Sequence, residues 1–307
     1  MNIIITGGNG FIGTSLAKRF SSKGHKVFLL DLKKKLNKTN IHKNIKFFNT
    51  DITSLNSLKK VKIPKNCVLL HCAGQPSAAV SFHKPYDDHK KNILGMMNII
   101  NFSHENKVQK IIFASTFNVY KENLRSARLK ETSECEPKSL YAISKLAAEN
   151  YLRVYGDYLG LKWNVLRMFN IYGPGQDRKN KNLGMISIFL NMAKNSRKVT
   201  VKGSLKRFRD FIYIEDVIEA WYKLALDKKN YNQTFNLGSG KKTTLNTLFE
   251  NIQKTLKKKI YIKEVGGTPG DFLGCYANTK KIEKNLRFKA KVSLSRGLKL
   301  FNDWLDQ

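Results

Sequence analysis

Residues 2–13 read "NIIITGGNGFIG", an apolar, β-branched run that breaks into glycines and then turns apolar again. Three consecutive isoleucines suit a strand buried on both faces of a parallel sheet. Gly7, Gly10 and Gly13 follow at three-residue spacing. Glycines permit a tight turn and let the backbone approach a pyrophosphate. The helix expected from about Phe11 to Ser22 would add free N–H groups and the positive end of its dipole. Strand, glycine turn and helix in that order predict a dinucleotide-binding loop; the glycines alone would be weak evidence.

The pattern repeats outward from this loop. "KVFLLD" (26–31), "IKFFNT" (45–50), "CVLLHCA" (67–73), "KIIFAST" (110–116) and "WNVLRMFN" (163–170) read as further strands. Helical stretches lie between them, notably from about Tyr86 to Glu105 and from Ser139 to Leu159. This alternation predicts an α/β fold, a Rossmann-type doubly wound parallel sheet. Near "NIYGPGQ" (170–176) turn residues cluster and the alternation loosens. We therefore expect a nucleotide-binding domain over 1–168, with 209–240 packing back on it. A smaller C-terminal α/β substrate-binding lobe is expected over 169–307.

The chain has 307 residues, enough to bury a sizeable core, and its 41% hydrophobic content is ordinary for a globular protein. No apolar run is long enough to span a membrane, and the N-terminus reads as a first strand rather than a signal sequence. A cytoplasmic setting is expected. Cys67, Cys72, Cys135 and Cys275 form no CxxC pair, so neither a metal site nor a disulfide framework is expected. The net charge of +33 comes mainly from lysine. Runs such as "DLKKKLNK" read as solvated surface before they read as a nucleic-acid site, though a basic surface also attracts anionic substrates.

Asp31 ends the second expected strand, 18 residues beyond Gly13. A carboxylate there accepts hydrogen bonds from ribose hydroxyls and repels a 2′-phosphate, which favours NAD over NADP. Lys33, Lys34 and Lys35 lie nearby and argue the other way. Asp51 reads equally as an adenine-side contact or as a helix N-cap.

Tyr141 and Lys145 lie four apart on an expected helix and so share a face. A free tyrosine titrates near about 10, too high for a base at neutral pH. A neighbouring ammonium is expected to lower that value. Thr116 ends a strand and offers a hydroxyl to the reacting oxygen.

With "TGGNGFIG", "HCAGQPSAAVSF", "FASTFNVY", "YAISK", "RMFNIYGPGQ", "RFRDFIYIEDV" and "FNLGSG" in order, the chain resembles the extended short-chain dehydrogenase/reductase family. The likeness is to its NAD-dependent nucleotide-sugar epimerases and dehydratases, the UDP-glucose 4-epimerase-like enzymes, and covers nearly the whole chain. The resemblance implies Tyr141 as the base, Lys145 as its partner and Thr116 as the third catalytic member. It places Gly7, Gly10, Phe11, Ile12, Gly13, Asp31, Asp51, Ile52, Ala73, Gly74 and Asn92 around NAD, with Tyr141 and Lys145. It places Ser77, Thr116, Asn170, Arg209, Asp271 and Cys275 around a nucleotide-diphosphate sugar. Asn92 also reads as a turn residue, and Arg209 as a partner of Asp216. A homodimer is implied through the segments 86–105 and 139–159.

Family dehydratases resemble S-T-D-E-V-Y where this chain has "STFNVY" (115–120). Phe117 and Asn118 neither donate nor accept a proton at neutral pH, so elimination by the usual route is disfavoured. Epimerisation at C4 through a transient 4-keto sugar needs no such pair and is the expected reaction. A nucleotide-sugar dehydratase or keto-sugar reductase is the alternative; a non-catalytic Rossmann protein binding nucleic acid is the alternative of another class. Two positions depart from the family pattern. Thr268 stands where an arginine usually contacts the diphosphate, with Arg207, Lys206 or Lys263 as replacements. Cys275 stands where some epimerases carry tyrosine, which reads either as room for an N-acetyl group or as a plain small apolar residue.

Overall fold

Ile3, Ile4 and Ile5 are fully buried in β1 (Asn2–Thr6), which pairs with β2 (Lys26–Asp31) on one side and β4 (Val68–His71) on the other. The protein is represented by a computed structural model that describes residues 1–33, 43–122, 127–176, 184–267 and 273–307. β3 (Ile45–Asn49) extends the sheet past β2, β5 (Lys110–Thr116) extends it past β4, and these pairings are all parallel. Trp163–Met168 and Gln233–Leu237 complete a seven-stranded sheet in the order 233–237, 163–168, β5, β4, β1, β2, β3. Leu29, Leu30, Leu69, Leu70, Ile111 and Ile112 have no exposed surface, as expected of strands covered on both faces.

The chain steps outward from β1 to β2 to β3, then returns to the far side of β1 as β4. That reversal opens a crevice at the carboxyl ends of β1 and β4, where ligands of such sheets bind. Thr6 and His71, the last residues of these strands, meet there: Thr6 Oγ1 lies 2.7 Å from His71 Nδ1 and accepts from the Ala73 N–H at 3.2 Å.

The glycine turn leads into α1 (Phe11–Ser22), matching the expected span. The helix expected over 86–105 comes in three parts: Pro85–His89, a π-helical turn at Lys90–Leu94, and Gly95–Glu105. Pro85 takes the first helical position, where its missing N–H costs nothing. The strand expected over 163–170 breaks at Phe169 into Trp163–Met168 and Asn170–Tyr172.

The chain forms two compact units. The first comprises Met1–Val119, Ser139–Arg167 and Ile218–Phe235; the second comprises Tyr120–Lys138, Met168–Val217 and Asn236–Gln307. Within the second, Asn170–Tyr172 pairs in parallel with Phe211–Tyr213, and Lys198–Lys202 with Tyr261–Val265. Tyr172 packs on Tyr213 and Phe301 at its centre. Among the described residues no helix is long and apolar enough to cross a membrane.

Candidate active site

The glycine turn is locked by contacts that leave no room for side chains. Gly7 has φ +69°, and a Cβ on it would stand 2.9 Å from the Ala73 nitrogen. A Cβ on Gly13 would stand 2.1 Å from the Gly7 carbonyl oxygen, so the first turn of α1 sits directly on the loop. Gly10 is the N-cap of α1 and has no side chain to satisfy the first N–H groups. Those donors and the dipole end are thus available to an anion. Phe11 and Ile12 open the helix behind them.

Asp31 ends β2 beside this loop. Its Oδ2 accepts from the Asn9 N–H at 2.9 Å, and its Oδ1 from the Lys33 N–H at 3.0 Å. A carboxylate has about four acceptor sites, so two hydrogen bonds leave capacity for ribose hydroxyls. Lys34 and Lys35 lie outside the described residues. Asp51 accepts from Thr53 N and Oγ1, both at 2.8 Å, and the helix that follows is capped by Ser54 instead. Ile52 is buried; its carbonyl accepts from Asn98 Nδ2 at 2.9 Å.

Asn92 projects inward from the π-turn and its amide is committed to protein groups. Its Oδ1 accepts from the Gln75 N–H at 2.9 Å, and its Nδ2 donates to Gln75 O, Asp88 Oδ1 and Ser144 Oγ at 3.1, 3.2 and 2.9 Å. It therefore braces the Ala73–Gln75 loop against the helix Leu140–Tyr158. Gly74 must be glycine here: φ is +152° and a Cβ would stand 2.5 Å from Asn92 Oδ1. Ser77 caps the helix Ala78–His83 by accepting from Val80 N at 3.3 Å.

Ser139 caps the helix Leu140–Tyr158, which carries Tyr141 and Lys145 inward. At the end of β5, Thr116 is the side chain that acts to lower the Tyr141 pKa. The expected lowering of the Tyr141 pKa is not what the geometry gives. Burial pushes it up to about 12, against the Thr116 hydrogen bond and with a further upward push from Asp88. Lys145 lies 4.2 Å over the Phe113 ring. Burial pushes its pKa down to about 8, against the upward pull of Cys72, Glu149 and Asp88.

In the second unit, Asn170 Nδ2 donates to the Asp210 carbonyl at 3.2 Å. Arg209 is buried, and its Nη1 donates to the carbonyls of Phe208 at 2.8 Å and Leu273 at 3.4 Å. Burial lowers its pKa to about 10, so it stays charged at neutral pH beside Cys275, itself a buried thiol pushed up to about 12. Asp216, the other partner considered for Arg209, accepts from the Lys291 and Val292 N–H groups. Thr268 and Asp271 lie outside the described residues. Arg207, one of the replacements considered for the missing arginine, directs Nε and Nη2 at the carbonyls of Ser204 and Lys202.

Three polar residues matter that the sequence did not single out, and a fourth, Asn118, does more than lack an acid. Asp88 is buried under the Gln75–Asn92 network and accepts from Gln75 Nε2 at 2.7 Å. Glu149 lies one turn beyond Lys145 in the interior. Asn118 donates twice to Thr116. Asp210 accepts from Ser239 N and Oγ, Gly240 N and Ala277 N. A Cβ on Gly238 would stand 2.5 Å from Asp210 Oδ2, which accounts for the first glycine of "FNLGSG". Glu149 alone had a visible signal, its i+4 spacing from Lys145. No cluster of three or more His, Cys, Asp or Glu suited to a metal occurs among the described residues.

A family model described as NAD dependent epimerase/dehydratase matches residues 3–238. A putative UDP-glucose 4-epimerase of Methanocaldococcus jannaschii is 31% identical over 306 residues, which is 99% of this chain and 98% of that protein. The solved UDP-glucose 4-epimerase of Thermus thermophilus in complex with NAD has a TM-score of 0.90 and 30% identity, covering 100% of this chain and 99% of that one. The UDP-N-acetylglucosamine 4-epimerase of Methanobrevibacter ruminantium, solved with UDP-N-acetylmuramic acid, has a TM-score of 0.91 and 28% identity, covering 99% and 98%.

Proposed function

The chain belongs to the NAD dependent epimerase/dehydratase family, and on that premise we propose that it inverts C4 of a nucleotide-diphosphate sugar, a UDP-hexose or UDP-N-acetylhexosamine. NAD is its cofactor. The residues present fit it: the cradle at Gly7 and Gly13 excludes any Cβ and leaves little room for one at Gly10, the N-terminus of α1 is uncapped by a side chain, and Asp31 keeps acceptor capacity. When bound, NAD supplies the acceptor and later the donor of the C4 hydride.

The chain itself handles the proton. Tyr141 takes it from the C4 hydroxyl and returns it, so no net proton is consumed. Thr116 is the group that favours the charged phenolate against burial, and the Lys145 ammonium lies one turn along the same helix. Asn92 and Gln75 set the loop beside the cofactor. Arg209, kept charged in the second unit, suits a diphosphate.

The observation that carries the reading is the pairing of Tyr141 with Thr116 in a turn that lacks carboxylates. Phe117 is buried, and Asn118 spends its amide on Thr116, so this turn offers no acid–base pair to expel water across C5 and C6. The small buried Cys275 supports room for an N-acetyl group. The first unit serves NAD and the second the sugar nucleotide; of the expected 209–240 only 218–235 joins the first, and 120–138 joins the second. Ile143, Tyr151, Val154 and Tyr158 leave large apolar side chains exposed along the helix Leu140–Tyr158, supporting a homodimer, and we place the enzyme in the cytoplasm.

The test is incubation of the purified protein with UDP-galactose and UDP-N-acetylgalactosamine without added cofactor, then separation of the C4 epimers. Interconversion is expected. A stable dehydrated product, or consumption of NADPH, would overturn the proposal.

A further inference from the structure

The turn after β5 shows what Asn118 does in place of a carboxylate. Its backbone N–H donates to Thr116 Oγ1 at 3.3 Å, and its side-chain Nδ2 donates to the same oxygen at 3.2 Å. A threonine hydroxyl has two lone pairs and one proton. With both lone pairs engaged by Asn118, the hydroxyl has only its proton to offer Tyr141, the residue whose proton affinity Thr116 lowers. Donation from the Thr116 O–H to the Tyr141 oxygen is the direction that favours a phenolate. An aspartate in the same place would offer an acceptor where Asn118 offers a donor. It would draw the Thr116 proton toward itself and away from Tyr141.

We propose that Asn118 is a positioning residue that fixes the Thr116 hydroxyl as a donor to Tyr141 and thereby sets the proton affinity of the base. The proposal rests on the reading of Tyr141 as the group that exchanges a proton with the sugar. It gives this chain a reason to carry asparagine at 118 beyond the mere absence of an acid. Asp88 and, one turn along the helix, Lys145 are the charged groups near Tyr141, and the variants below leave both unaltered.

The experiment measures kcat and kcat/KM against pH on NAD-loaded protein for the wild type, Asn118→Asp, Asn118→Ala and Tyr141→Phe. Asn118→Asp is expected to move the rising limb to higher pH by about one unit, a roughly tenfold loss of rate on that limb that recovers at alkaline pH. Bound NAD should be unchanged. Asn118→Ala, which keeps the backbone donor, should move the limb the same way by less. A rate loss equal at every pH, or a change in KM alone, would overturn the proposal. Should Asn118→Asp fail to fold by circular dichroism, Asn118→Ala carries the comparison. If Tyr141→Phe keeps its activity, the reading of the base itself fails. If Tyr141→Phe is inactive but the Asn118 variants keep the wild-type profile, only the role of Asn118 fails.

Discussion

Glu149 and Arg167 face each other in the interior, with Arg167 Nε 3.1 Å from both carboxylate oxygens and Nη2 2.7 Å from Oε2. Ser115, next to Thr116, donates to the same carboxylate. The pair thus ties the helix bearing Lys145 to β5 and to the strand Trp163–Met168. Replacing Arg167 with methionine would strand a buried carboxylate. A stability loss of roughly 3–5 kcal/mol is expected in urea unfolding. The double variant Arg167→Met/Glu149→Leu should recover much of it, because no charge is then left unpaired.

Gly13→Ala should release NAD. Its new methyl would meet the Gly7 carbonyl at 2.1 Å, so the loop or the helix must shift. Dinucleotide extracted from the purified variant, measured by absorbance against protein, should fall well below that of the wild type. Gly267→Ala is the control, since nothing lies within 4 Å of a Cβ there and its φ is not positive.

Tyr141→Phe should lower turnover by about 10²–10⁴-fold, the usual worth of a positioned acid–base group, yet leave NAD bound. Lys145→Met should lower turnover and weaken NAD retention together. Near-normal rates in Tyr141→Phe would show that another group moves the proton.

Much of this was legible because strands buried on both faces need unbroken apolar runs, and residues 3–5 and 111–114 supply them. Gly7 and Gly13 announced the loop because no other residue fits there. The expected effect of Lys145 on Tyr141 was not borne out, because spacing on a helix says nothing of burial, and burial is the largest influence on both groups. Asp88, Asp210 and the hold of Asn118 on Thr116 stayed hidden for a related reason. Their partners are set by tertiary contacts or by the shape of a turn, and sequence periodicity carries neither.

His71 should make stability depend on pH. Burial, with Lys145 adding to it, pushes its pKa down to about 3. Between pH 3 and 6.5 the unfolded chain binds a proton at this histidine that the folded chain does not. Its contribution is therefore full above the unfolded value and falls as the pH drops, by up to about 1.4 kcal/mol per unit. His71→Gln should flatten that part of the curve of unfolding free energy against pH.

Tyr158→Lys combined with Val154→Glu places charge on the exposed face of the helix Leu140–Tyr158. Light scattering should show the mass of one chain in place of two. An unchanged mass would place the dimer contact elsewhere.

The π-turn at Lys90–Leu94 has a consequence for chain length. Such a turn absorbs one surplus residue locally, and the helix beyond it keeps its phase. Met96, Ile99, Ile100 and Phe102 would therefore stay in the core if one residue were deleted there. What would be lost is the inward reach of Asn92 and its hold on the Ala73–Gln75 loop. Here the count of residues is a variable that tunes the cofactor side and leaves the scaffold intact, so a deletion at this point separates catalysis from folding.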